Sequence, residues 1–110
     1  MIDDKNRELV LEIKKRLPSD LANNLKRLII FGSRAKGEST EDSDLDIIAL
    51  VNKKTSEAEK ELDDIVYQVM WDNDFNPIIS LKVFQESNYI DALNKGFSFY
   101  MHVENEGVAV

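Results

Sequence analysis

Apolar residues recur near the start of the chain at helical intervals. Between Asp3 and Leu17, the residues Leu9, Val10, Ile13 and Leu17 share one stripe among Glu, Lys and Arg, which predicts an amphipathic helix. Pro18 and the polar pair Ser19-Asp20 stop it, with room for a further short turn. Leu28-Ile29-Ile30-Phe31 is then an uninterrupted apolar run closed by Gly32, the pattern of a strand covered on both faces, and Leu45 to Val51 repeats it. From Thr55 to Trp71, Ala58, Leu62, Ile65, Val66, Val69 and Met70 return to helical spacing, with Thr55 or Ser56 able to cap the first turn. Ile78 to Phe84 reads as a strand, and Ser87 to Leu93 and Phe97 to His102 as short helices before a terminal Val108-Ala109-Val110. The order helix, strand, strand, helix, strand, helix predicts an α/β (α+β) sandwich in which helices cover a small mixed sheet.

Length and composition narrow this picture. A chain of 110 residues is the size of one domain with one core, so residues 1–110 are read as a single domain. An apolar content of 43% with 4 Gly and 2 Pro supplies enough burial to offset ordering, which sets disorder aside. The formal charge of -7 leaves no excess of Lys and Arg to neutralise nucleic-acid phosphates, so bulk DNA or RNA binding is not expected. With no cysteine there is no disulfide and no thiol chemistry, and no apolar run approaches the roughly 20 residues of a membrane span. A cytoplasmic location is the simplest expectation, and self-association is left open.

The chemistry concentrates between the first two strands, where residues 32–44 form a polar stretch too long for a plain hairpin. Asp44 and Asp46 stand two apart at the mouth of the second strand, and residues i and i+2 project from one strand face. Two carboxylates held that close repel each other unless a cation lies between them, and oxygen-only ligation suits Mg²⁺. Alone, the pair reads better as a solvated acidic turn with Glu41 and Asp42 than as a metal site. The Gly32-Ser33 step shifts the balance. It ends the neighbouring strand with a residue that lets a phosphate approach the backbone, followed by a hydroxyl, and a helical turn starting at Ser33 would aim free N–H groups at the same anion. Arg34 and Lys36 add charge nearby, but spacing assigns neither: their side chains can equally face away from the site, or one can pair with Glu38 or Glu41. Together these groups form a candidate triphosphate and metal site.

Gly32-Ser33-Arg34-Ala35-Lys36-Gly37 followed by Ser43-Asp44-Leu45-Asp46 resembles the signature of the DNA-polymerase-β-like nucleotidyltransferase superfamily. In length and layout the chain is similar to its minimal members, prokaryotic single-domain proteins often paired with a HEPN-domain protein. The resemblance implies a palm-like nucleotidyltransferase fold and transfer of a nucleoside monophosphate, AMP first among them, from ATP or another triphosphate. It implies that Gly32 and Ser33 contact the triphosphate, and that Asp44 and Asp46 hold Mg²⁺ or Mn²⁺ in a two-metal mechanism. It also implies two roles for the chain, an enzyme modifying an acceptor hydroxyl on a partner protein, or a catalytically weak antitoxin that occludes a HEPN-type ribonuclease. Active members carry a third carboxylate on a later strand, and Ile78 to Phe84 holds none. Ser80 or Lys82 occupies the region, while Asp74 and Glu86 flank the strand as candidate substitutes for the missing acid, although they read more simply as capping or solvated residues. This absence fits slow chemistry, another residue in the role, or lost activity.

Other chemistry-bearing residues stay with ordinary readings. His102, the single histidine, has no evident partner along the sequence and reads as a packed or surface residue. Trp71, Phe75, Phe84, Tyr89, Phe97, Phe99 and Tyr100 could stack on a base, but such scattered aromatics usually build cores or interfaces. Glu57, Glu59, Glu61, Asp63 and Asp64 form the wet side of the long helix.

Overall fold

The computed structural model describes residues 4–37 and 43–110. Helix α1 spans Asp4–Lys15 and α2 spans Ser19–Asn24. They are followed by strand β1 over Leu25–Phe31, a single helical turn α3 over Ser33–Lys36, and strand β2 over Leu45–Val51. Helix α4 covers Ser56–Asp72, β3 covers Ile79–Gln85, α5 Glu86–Asn94, α6 Ser98–Glu106 and β4 Val108–Ala109. The mixed architecture expected from the hydrophobic pattern is therefore the one observed.

The strands form one sheet in the order β3-β2-β1-β4. β1 runs antiparallel to both β2 and β4, whereas β2 and β3 are parallel, joined by the crossover through α4. Because side chains alternate along a strand, β1, β2 and β3 feed two separate cores. Leu28, Ile30, Leu45, Ile47, Ala49, Val51, Ile79 and Val83 point to one face, where they meet Leu9, Val10 and Ile13 of α1 and Leu62, Ile65, Val66 and Val69 of α4. Ile29, Ile48 and Leu50 point to the other face and meet Tyr89 of α5 and Val103 of α6. Strands buried on both sides carry continuous apolar runs, which is why 28–31 and 45–51 lack polar alternation.

Several boundaries differ from the sequence expectation for local reasons. β1 begins at Leu25 rather than Leu28, because Leu25 still pairs with Val51 across an irregularity between Leu25 and Arg27. The anticipated turn after Pro18 is a six-residue helix, anchored by Leu21 at 4% exposure. Thr55, not Ser56, caps α4, its hydroxyl accepting from the Ala58 amide at 3.0 Å. The terminal apolar residues add an edge strand, with Ala109 opposite Ile29 and Val108 opposite Ile30.

Candidate functional site

The end of β1 and the start of β2 lie side by side, with Phe31 paired to Asp46. Gly32 follows immediately, at φ +77° and ψ -155°, a conformation that a residue with a side chain rarely adopts. The same glycine has a second constraint. A Cβ placed there would lie 2.9 Å from Oδ2 of Asp46, so the carboxylate rests against the bare backbone of the turn. Ser33 then opens α3, as anticipated, and Ala35 at 5% exposure packs this turn into the core. Gly37 ends it in the left-handed conformation, its amide donating to the Ser33 carbonyl.

Asp44 sits just ahead of β2 and is exposed, whereas Asp46 is half-buried inside the strand. Burial pushes the Asp46 carboxyl pKa above its ordinary value, the Asp44 charge pushes it further the same way, and Lys82 opposes both. The two carboxylates are therefore near enough to repel, as their spacing predicts. A pair of this kind, one acid exposed and the other half-withdrawn from water, suits a hard divalent cation that would relieve the repulsion. Among the described residues no group of three or more His, Cys, Asp or Glu side chains comes together to hold a metal, so the acid pair has no third acidic or imidazole partner there. Glu38, Glu41 and Asp42 lie outside the described residues.

The nearby basic residues have structural tasks that local sequence could not show. Arg34 is 9% exposed and directed inward: Nε and Nη2 donate to the Ser43 carbonyl at 2.9 and 2.7 Å, and Nη1 donates to Oδ1 of Asn6 at 3.1 Å. It fastens the residue before Asp44 to α1. Lys36 forms an ion pair with Glu106 of α6 at 3.1 Å, a partner seventy positions away in sequence. A cavity of about 240 Å³ lies behind the turn, lined by Phe31, Gly32, Lys36, Phe99, His102 and others. His102 is thus a surface residue, as expected, but one placed on the rim of this cavity with Nδ1 4.0 Å from Glu106. Phe99 meets Phe31 edge-on at 6.0 Å between ring centres.

β3 completes the far side. Its parallel register sets Ser80 opposite Asp46 and Lys82 opposite Ile48, so both emerge on the Asp46 face. Glu86 is ruled out as a stand-in carboxylate by the same register, because the preceding Gln85 pairs with Val51 at the opposite end of β2. Asp74 belongs to the turn after α4, its amide donating to the Trp71 carbonyl.

A mixed sheet in which a Gly-Ser turn closes on an acid pair from the next strand defines a protein of the nucleotidyltransferase class. The chain belongs to the nucleotidyltransferase domain family, whose profile matches residues 7–102. It is also 34% identical over 106 residues to a Methanocaldococcus jannaschii protein described as a "putative protein adenylyltransferase", an alignment spanning 94% of this chain and 96% of that relative. No solved structure matches significantly. Among the described residues no helix is long and apolar enough to cross a membrane.

Proposed function

We propose that residues 1–110 act as one nucleotidyltransferase domain that moves a nucleoside monophosphate, AMP in the first instance, from its triphosphate to a hydroxyl of an acceptor protein. The observation that carries this reading is the contact between Gly32 and Asp46. It sets the bare backbone of the turn directly against a half-buried carboxylate whose charge is disfavoured by burial and by Asp44, and which a cation would relieve. The description of the archaeal relative as a protein adenylyltransferase supports both AMP and a protein acceptor. In this reading Gly32 and Ser33 receive the triphosphate, and Asp44 and Asp46 hold Mg²⁺ or Mn²⁺. The divalent ion, when bound, neutralises phosphate charge and activates the acceptor oxygen. That oxygen attacks the α-phosphorus, the bond to the bridging oxygen of the β-phosphate breaks, and pyrophosphate leaves while the hydroxyl proton passes to solvent. Asp44 and Asp46 contribute by fixing positions and balancing charge, the main protein contribution to phosphoryl transfer.

A second reading draws on one observation. Where active relatives carry a third carboxylate, the Asp46 face of β3 presents Ser80 and Lys82. A weakened site of this kind also suits an antitoxin that works by covering a HEPN-type ribonuclease. Incubation of the chain with α-labelled ATP, Mg²⁺ and the product of its neighbouring gene separates the two. Label bound covalently to that product, and lost with Asp46→Asn, is the expected result. Inhibition of a ribonuclease partner without label would favour occlusion instead.

A further inference from the structure

The identity of the residue beside the acid pair is set by the sheet rather than by the local sequence. Ile79 and Val83 are buried in the α1/α4 core, which fixes which way β3 faces, since a one-residue slip would turn those apolar groups outward. Lys82 must then emerge on the opposite face, two residues beyond Ser80, which stands directly across from Asp46. It is exposed, has a long flexible stem and ends in a compact charge. The other nearby cations are engaged elsewhere, Lys36 with Glu106 and Arg34 with Ser43 and Asn6. Among the described residues Lys82 forms no ion pair within 4 Å, so no other element of the fold claims its charge.

We propose that the Lys82 ammonium is a built-in cation for the acid pair, standing where a second divalent ion would need its ligand, so that this site takes one divalent ion rather than two. The donor set agrees. Two carboxylates suffice for one Mg²⁺, whose remaining positions are filled by water and substrate phosphates. A two-ion site needs further anionic ligands around the second ion, and the Asp46 face of β3 offers a hydroxyl and an ammonium in their place. Lys82 adds positive charge on the side of Asp46 away from the Gly32 turn, on a strand that carries no acid.

This inference rests on the reading of Asp44 and Asp46 as metal ligands, and Mn²⁺ binding followed by electron paramagnetic resonance separates the two claims. The parent protein is expected to bind one Mn²⁺, lost in Asp44→Asn. Lys82→Gln should bind one ion roughly tenfold more tightly, because a like charge has gone. Lys82→Asp should bind two, and Lys82→Arg should match the parent. Two ions on the parent, or parental affinity in Lys82→Gln, would overturn the role of Lys82 while leaving the acid pair as the metal site. Mn²⁺ binding that survives Asp44→Asn and Asp46→Asn, or its absence from the parent, would overturn both claims. Circular dichroism of each variant confirms that it is folded before binding is compared.

Discussion

Gly32 and Asp46 are packed so closely that a methyl group on Gly32 would stand 2.9 Å from the Asp46 carboxylate oxygen. The contact ties the conformation of the turn to the position of the acid, and it makes glycine necessary twice over. Gly32→Ala should therefore lower stability by about 1–2 kcal/mol from the positive φ alone. It should also displace Asp46 and abolish binding of Mg²⁺-ATP. Chemical denaturation and calorimetry on the same protein check both parts, and normal ATP binding by a folded Gly32→Ala variant would show that the turn is no phosphate cradle.

Asp44 and Asp46 should couple stability to ligand. Either Asp→Asn change is expected to leave the metal-free protein as stable as the parent or slightly more so, by on the order of 0.5 kcal/mol, because solvent screens a half-exposed pair. Saturating Mg²⁺-ATP should stabilise the parent, by about 2.7 kcal/mol at a hundredfold excess over Kd, and should not stabilise either variant. Thermal melts with and without Mg²⁺-ATP measure this directly. Equal ligand shifts in all three proteins would place the site elsewhere.

The same pair predicts a sign for pH dependence. Burial first, and Asp44 second, raise the folded-state pKa of Asp46 above its ordinary value of 3.8. Between the unfolded and the folded pKa the native state binds more protons, so this group makes stability fall as pH rises through that window. Asp46→Asn removes the effect. Its stability relative to the parent should therefore be greater at pH 7 than at pH 3, and urea titrations at the two values test the sign.

Much of this arrangement is legible in the sequence, and the remainder is not for identifiable reasons. The apolar runs at 28–31 and 45–51 disclose doubly covered strands, and the two-residue spacing of Asp44 and Asp46 discloses convergence, because both depend only on local periodicity. Lys82 is different. Whether Ser80 or Lys82 faces the acids depends on the β2–β3 register, which is fixed by packing between segments more than thirty residues apart. The same holds for Lys36, whose partner Glu106 belongs to α6, and for Arg34, which spacing alone leaves unassigned and whose guanidinium turns inward. His102 reaches the cavity rim only because α6 packs over Ile29 and Ile48.

Tyr89 of α5 holds α6 in that place. Its hydroxyl donates to Glu104 at 2.8 Å, and Arg27 of β1 approaches the same carboxylate at 3.3 Å. The Tyr89 hydrogen bond is the main cause that lowers the Glu104 pKa, with Arg27 contributing in the same direction. A depressed carboxylate pKa stabilises the fold above the unfolded value and ceases to do so as pH falls through the folded one. Tyr89→Phe should thus cost about 1 kcal/mol at pH 7, and less below the ordinary carboxylate range. Denaturation at neutral and acidic pH measures the difference, and a loss independent of pH would assign it to packing instead.

Arg34 is the group whose removal should damage the site without touching a ligand. Its guanidinium is almost fully buried and donates to the carbonyl of Ser43, the residue before Asp44, and to Asn6 of α1. Asp46 is held independently, inside the β-ladder between Phe31 and Ser80, but Asp44 lies outside it and relies on what precedes it. Arg34→Met leaves the Ser43 carbonyl and the Asn6 side chain without those donors, which should cost about 2–4 kcal/mol. Arg34→Lys retains the charge but not the forked geometry that spans both acceptors, so it should recover only part of the loss. Both variants should also bind Mn²⁺ more weakly, since one of its two proposed ligands is no longer held. Lys36→Met makes the comparison specific. It removes an ion pair with both side chains nearly half exposed, and should change stability by no more than about 0.5 kcal/mol. If Arg34→Lys melts with the parent and binds Mn²⁺ with parental affinity, Asp44 is positioned by something other than the inward-facing arginine.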